Sequence, residues 1–257
     1  MYLERQRVDG KCAFVTGGAG GIGFCTAEAL CEAGAAVAIA DLDESRVQEM
    51  TEKLKSKGYR AEGMVLDVTD SKATNDLAER LNRDFGPIEI LIANAGIAWP
   101  DTGAEDMTDE VWQKMIDIDL TGCFYSCRAF AKYMLERGKG AIVTLGSMSG
   151  IISNKPQRQA HYNAAKAGVH HMTRSMAGEW APRGVRVNSV APTYVNTQMS
   201  NISFKEPHLG PVWMEMTPMA RMVEPEEVAA ANLFLASEAS SGITGAVLVV
   251  DAGYTIW

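Results

Sequence analysis

No stretch of about 18 consecutive apolar residues occurs in the chain, so no membrane-spanning helix is expected. The opening MYLERQRVDG has no apolar segment of the kind that directs secretion, and a cytoplasmic location is expected. Cysteines are few, five in all, odd in number and irregularly spaced. Cys12 falls in an apolar run, and Cys25, Cys31, Cys123 and Cys127 fall in helix-like stretches. Small buried thiols in a reducing compartment explain them better than disulfides or zinc. The four histidines (His161, His170, His171 and His208) have no carboxylates at ligand spacing, so no metal site is expected. Basic residues form no patch: 24 are scattered among 32 acidic ones, for a net charge of -8. This argues against nucleic acid or an anionic membrane surface as the main partner. Linkers, repeats and low-complexity segments are also lacking, and one domain over 1–257 is expected.

What is present is a regular alternation. Apolar runs at 12–16, 36–40, 60–66, 88–93, 141–145, 186–190 and 246–250 read as strands. Between them, helical periodicity covers 22–33, 45–57, 71–85, 109–136, 160–180 and 225–235. Ser71 is expected to open the third helix, and Thr108 to cap the fourth, with Asp109 and Glu110 in its first turn. Continuous apolar strands between amphipathic helices imply a parallel sheet covered on both faces. With right-handed crossovers this is an α/β, doubly wound domain of about seven strands. The irregular stretch 193–223 is too long for an ordinary connection and reads as a substrate lid or binding loop with short helices of its own.

Between the first strand and first helix stands Thr16-Gly17-Gly18-Ala19-Gly20-Gly21-Ile22-Gly23. Glycines at this place permit a tight turn and let backbone N–H groups approach a pyrophosphate at the positive end of the helix. Both G-x-G-x-x-G (Gly18, Gly20, Gly23) and T-G-x-x-x-G-x-G (Thr16, Gly17, Gly21, Gly23) are contained in it. Asp41, followed by Leu42, ends the second strand, where a carboxylate accepts hydrogen bonds from ribose hydroxyls and repels a 2′-phosphate. No arginine adjoins it, the nearest downstream being Arg46, so NAD is expected over NADP. Asp67 and Val68 after the third strand, and Asn94, Ala95 and Gly96 after the fourth, lie at carboxyl ends of strands, where such sheets bind ligands.

Tyr162 and Lys166, four apart on one helix, point the same way. A free phenol titrates near 10, and a cationic lysine one turn along favours the phenolate and lowers that value. Ser147, fifteen positions upstream, can hydrogen-bond the same oxygen. Together they make a proton-transfer site for an alcohol/carbonyl pair.

Taken in order, Thr16–Gly23, Asp41, Asn94-Ala95-Gly96, Ser147 and Tyr162-x-x-x-Lys166 resemble the short-chain dehydrogenase/reductase family over nearly the whole chain. Gly146–Gly150, Asn154–Gln157, Thr217-Pro218-Met219 and the tail from Val250 to Trp257 are similar to bacterial NAD-dependent polyol dehydrogenases within it. The resemblance implies a Rossmann fold and an oxidoreductase of a secondary alcohol, with Tyr162 as general acid/base. It implies that Lys166 holds the nicotinamide ribose, that Ser147 orients the reacting oxygen, and that Pro192, Val195 and Thr197 lie against the nicotinamide and phosphates. It also implies a homotetramer; Trp180, the last strand and Trp257 are candidate contacts.

Asp119 departs from the pattern, which has asparagine there to hold a water linked to the lysine. A carboxylate acting through that water would raise the Lys166 pKa and weaken the positive field at Tyr162, giving a more alkaline rate optimum for oxidation. The alternative is that Asp119 merely replaces the water anchor or caps a helix irregularity. For substrate, Ser149, Asn154, Gln157, Gln159 and His161 form a polar crossover suited to a polyol. Against this, Trp99, Trp213 and Met199 suit a bulkier ketone, and Lys155, Arg158 and Lys205 a carrier thioester. A nucleotide-binding sensor is the non-enzyme alternative, which retention of Ser147, Tyr162 and Lys166 disfavours.

Overall fold

The seven apolar runs become one fully parallel sheet in the computed structural model, which describes residues 1–98 and 101–257. The strands are β1 (Cys12–Thr16), β2 (Ala36–Asp41), β3 (Ala61–Val65), β4 (Ile88–Ala93), β5 (Gly140–Leu145), β6 (Val185–Pro192) and β7 (Val247–Val250). Their spatial order is 3-2-1-4-5-6-7, and the fold is a single Rossmann-type domain. The helices are α1 (Gly21–Glu32), α2 (Glu44–Ser56), α3 (Ser71–Arg80), α4 (Asp109–Ile116), α5 (Cys123–Arg137), α6 (Ala160–Trp180), α7 (Gln198–Phe204), α8 (Gly210–Met216) and α9 (Pro225–Ala236). Among the described residues no helix is long and apolar enough to cross a membrane.

Strand side chains alternate between two apolar layers, as a period of two requires. From β1, Ala13 and Val15 pack with Phe24, Ala27 and Leu30 of α1 and with Val228 and Leu235 of α9. Cys12 and Phe14 face the other way, toward α3, α5 and α6. There Phe14 stacks on Phe130 with ring centroids 4.6 Å apart. Burial on both faces explains why the strands read as unbroken apolar runs rather than alternating ones.

Helix starts follow capping chemistry. Thr108 caps α4 as expected, its Oγ1 accepting from the Val111 N–H. Ser71 opens α3 as expected, and Asp70 before it is the cap: the Asp70 carboxylate accepts from the Ala73 N–H at 2.9 Å. A carboxylate at this place also complements the helix dipole, so Ser71 is left as the first helical residue.

Two of the long helical stretches are interrupted. The third ends in a widened π turn, Leu81–Phe85, stopped by Gly86 at φ 134°. The fourth divides into α4 and α5 around a π-helical stretch, Asp117–Gly122. Such widening re-aims side chains within an otherwise continuous helix, and here Asp119 is 1% exposed.

Segment 193–223 carries α7 and α8, in line with the expected short helices. Its ends are pinned together. The Asn196 N–H donates to Val223 O at 2.8 Å, and the Val223 N–H donates to Tyr194 O at 3.0 Å. The excursion therefore leaves and rejoins the body at one place, beside the carboxyl end of β6.

Candidate active site

The chain order reverses between β1 and β4, which lie side by side. Loops leaving these two strands diverge, and a crevice opens outside their carboxyl ends. It is a cleft of about 1070 Å³.

On one wall lies the glycine loop. Gly17 and Gly21 have φ of 62° and 50°, a conformation that favours glycine. Gly20 is the cap residue before α1 and offers no side-chain acceptor to the N-terminal amides. Asn94 staples the loop to β4: its Nδ2 donates to Thr16 O and Gly17 O, both at 3.0 Å. Thr16 Oγ1 in turn accepts from the N–H groups of Asn94 and Ala95. Gly23 does not face the cleft. It sits beneath the loop, where a Cβ would strike Gly17 O and Asn94 Nδ2.

Gly17, Gly20, Gly21, Ile22, Asp41, Leu42, Asp67, Val68, Asn94, Ala95 and Gly96 all line the cleft. So do Pro192, Val195 and Thr197. Asp41 ends β2 with Oδ2 accepting from the Ala19 N–H at 3.3 Å and Oδ1 from the Leu42 N–H at 2.8 Å. A cradle of this shape, with free amides at a helix start and a carboxylate at the next strand end, fits a dinucleotide.

Arg46 also lines the cleft, although sequence distance set it apart from Asp41. A Cβ on Gly20 would run into its guanidinium. The connection from β2 to α2 is short, and Asp43 caps α2 by accepting from the Arg46 N–H. Arg46 is therefore in the first helical turn, at the same end of the sheet as the glycine loop.

The other wall holds the proton-transfer candidates. Tyr162, Lys166, Ser147 and Asp119 line one side of the cleft together. Lys166 is 3% exposed, and its Nζ lies 5.5 Å from the centre of the Tyr162 ring. The ammonium donates to Leu145 O at 3.1 Å and lies 3.1 Å from Asp119 Oδ2. Contact with Asp119 is thus direct, not relayed through a water as expected. Its alignment is that of an ion pair rather than a hydrogen bond, and Oδ2 has no other donor. The second oxygen, Oδ1, accepts from the Ile97 N–H at 2.8 Å. Burial alone would lower the lysine pKa, but the charges of Asp119 and Tyr162 outweigh it and the net direction is upward.

Ser147 is buried. Its Oγ accepts from the Ser149 N–H at 3.1 Å, and its own N–H donates to His170 Nε2 at 3.3 Å. Ser149, Asn154 and Gln159, expected to face the substrate, are not among the residues lining the cleft. They bond to one another instead. Gln159 Nε2 reaches Ser149 Oγ, Asn154 Oδ1 and Asn163 Oδ1. Polar residues that face the cleft and were not singled out include Gln113, Gln198 and Ser200.

Trp213 is also occupied elsewhere. It stacks on Tyr194 at 3.8 Å and donates its indole N–H to Gln157 Oε1 at 3.0 Å. Trp99 and the side chain of Met199 lie outside the described residues.

Truncation of Asp119 to alanine leaves the Lys166 cation buried and unpaired, which should cost about 3–5 kcal/mol at neutral pH. Lys166 is raised from its ordinary value of 10.5. The pair's contribution is therefore complete below that pH and is lost as pH rises through the folded value. In urea denaturation, the gap between parent and variant should be full at neutral pH and narrow as pH rises, because the unpaired Lys166 of the variant, lowered by burial, loses its proton first. A variant as stable as the parent at neutral pH would contradict the pairing.

Comparison with known proteins agrees with this geometry. Residues 17–255 match the family described as Enoyl-(Acyl carrier protein) reductase. The chain is 48% identical to galactitol 2-dehydrogenase of Rhizobium johnstonii, covering 100% of this chain and 99% of that protein. It is 39% identical to a probable NADP-dependent mannitol dehydrogenase of Yarrowia lipolytica, covering 98% and 90%. The crystal structure of gox2181 superposes with a TM-score of 0.99 at 48% identity, covering 100% of both chains. A glycine cradle, a Tyr162–Lys166 pair and Ser147 on one Rossmann cleft, with relatives matched end to end, place this chain in the short-chain dehydrogenase/reductase family of oxidoreductases.

Proposed function

We propose that the chain is a polyol dehydrogenase that oxidises a secondary hydroxyl to a ketone, reversibly, with NAD as the hydride acceptor. The observation that carries this is the gathering of a phenol, a buried ammonium and a buried hydroxyl on one wall of a cleft whose other wall is a glycine cradle. The full-length likeness to galactitol 2-dehydrogenase supports a sugar alcohol as substrate. Trp213, committed to its stack with Tyr194, is withdrawn from an apolar pocket for a bulkier ketone. Arg158, needed for a carrier thioester, is paired with Asp101 at 3.1 Å.

Each side chain has a task that follows from its bonds. Tyr162 takes the proton of the alcohol in oxidation and returns it in reduction. Ser147 already accepts from the Ser149 N–H, so its own proton is free to donate to the reacting oxygen. Lys166 has three N–H donors. One goes to Leu145 O and one faces Asp119, which leaves a third for a ribose hydroxyl. Bound dinucleotide supplies the hydride acceptor. Ser149, Asn154 and Gln159 act from behind by holding the Ser147 turn.

Asp41 supports NAD, since its carboxylate stands where a 2′-phosphate would be repelled. Arg46 beside Gly20 favours a second reading, NADP, because a guanidinium is a strong phosphate partner. We further propose a cytoplasmic homotetramer. Exposed Val249 on β7 and exposed Trp257 support the assembly, whereas Trp180 packs against the core.

Phenylalanine at position 162 should lower kcat by about 10²–10⁴ and leave the dinucleotide Kd nearly unchanged. Parental turnover of sugar alcohols by that variant would rule the chemistry out. In paired assays, kcat/KM should favour NAD over NADP by about tenfold or more, the equivalent of about 1.4 kcal/mol. Preference for NADP, lost in Arg46→Ala, would establish the second reading instead. Asp119→Asn removes a negative charge beside Lys166 and strengthens the positive field at the phenol oxygen. Its rate profile for oxidation should move to lower pH, and an unmoved profile would remove Asp119 from any role in proton transfer.

A further inference from the structure

Tyr162, Lys166 and His170 follow one another at intervals of four on α6 and so share one face. The third has no part in the proton transfer described above. It is 4% exposed, and its Nε2 accepts from the Ser147 N–H at 3.3 Å. A nitrogen that accepts carries no proton, so the ring proton resides on Nδ1.

Ser147–Gly150 is a single tight turn, closed by the Gly150 N–H donating to Ser147 O at 3.0 Å. The ring thus holds the start of the turn that carries the hydroxyl. Gly146, just before it, has no side chain because a Cβ there would run into the same imidazole. Burial first, then the charges of Lys166 and Arg174, pushes the ring down to about 4, so it is neutral and able to accept at neutral pH.

We propose that His170 is a positioning residue: as a neutral ring it anchors the Ser147 end of the Ser147–Gly150 turn and sets the direction in which Ser147 presents its hydroxyl to the reacting oxygen. Two restraints then act on one residue, Ser149 on the side chain and His170 on the backbone. An apolar side chain at position 170 would leave the buried Ser147 N–H without an acceptor and free its peptide to turn. The assignment rests on the reading of Ser147 as the group that orients the substrate oxygen.

The test is a double-mutant cycle with His170→Leu and Ser147→Ala, with His170→Gln as the conservative variant. His170→Leu should lower kcat by about tenfold or more, since small misplacements of a catalytic group cost that much. Its dinucleotide Kd, measured by fluorescence, should stay within about twofold of the parent, well under the tenfold that 1.4 kcal/mol would bring. His170→Gln, whose amide both accepts and donates, should recover most of the loss. In the Ser147→Ala background, His170→Leu should cause no further loss of kcat, because the two act as one unit. An undiminished kcat in His170→Leu, or an equal further loss in the Ser147→Ala background, would overturn the proposal. Parental turnover by Ser147→Ala alone would instead overturn the reading of Ser147 on which it rests. If the leucine variant does not fold, His170→Asn, polar but one methylene too short to reach, takes its place in the same cycle.

Discussion

An ammonium and a carboxylate meet inside this protein, and four elements are arranged to let them. Lys166 comes from α6, Asp119 from the widened turn between α4 and α5, Leu145 O from the end of β5, and the Ile97 N–H from the segment after β4. Neither charge is tolerable alone at that depth, since a buried ion without a partner loses far more hydration than the interior returns. Together they leave an ammonium of raised basicity with one donor to spare, directed at a cleft. Gly96 passes so close that a Cβ there would lie 3.1 Å from Asp119 Oδ2 and 3.4 Å from Lys166 Nζ. A side chain at that place would crowd the carboxylate and require it to shift by a few tenths of an ångström.

The opposite wall obeys a different constraint. A pyrophosphate needs backbone amides rather than side chains, and the loop after β1 is held in shape from behind. Asn94 donates its amide to two consecutive carbonyls of that loop, while Thr16 collects two N–H groups from the β4 side. These bonds tie together the two strands whose divergence opens the crevice. Asn94 lines the cleft, yet its amide is spent on the scaffold, so its contribution to ligand binding is to keep the glycine turn rigid.

Helix α6 joins the two kinds of constraint. Its inward face carries Tyr162, Lys166 and His170, and one turn further Thr173, whose hydroxyl meets Thr144 Oγ1 at 2.8 Å. The helix is thereby fastened to β5 and to the turn that follows it. From that turn a continuous series of polar contacts runs outward: Ser147, Ser149, Gln159, Asn154, Tyr194, Gln157 and finally Trp213 on α8. Segment 193–223 is thus bonded, through these side chains, to the turn that carries Ser147.

How much of this was legible beforehand depends on whether the information is local. Strand and helix order, parallel pairing and the glycine turn were readable, because continuous apolar runs and a strand–glycine–helix junction depend on near neighbours in the chain. Tyr162, Lys166 and Ser147 were readable for the same reason, with a helical repeat and a strand end to locate them. The opening of α3 at Ser71 was readable, whereas its cap, Asp70, went unnamed although a carboxylate just before a helix is a local signal. Ser149, Asn154 and Gln159 were read as substrate contacts because polarity in a sequence does not say which partner satisfies it. The order of residues by itself determined a parallel α/β domain, with a glycine turn after its first strand and a tyrosine and a lysine one helical turn apart. Tertiary structure alone decided that Asp119 touches Lys166 directly, that Arg46 folds back over Gly20, and that His170 grips Ser147. Each of those contacts joins segments far apart in the chain or depends on a turn widened by packing, and no repeat in the sequence records such an encounter.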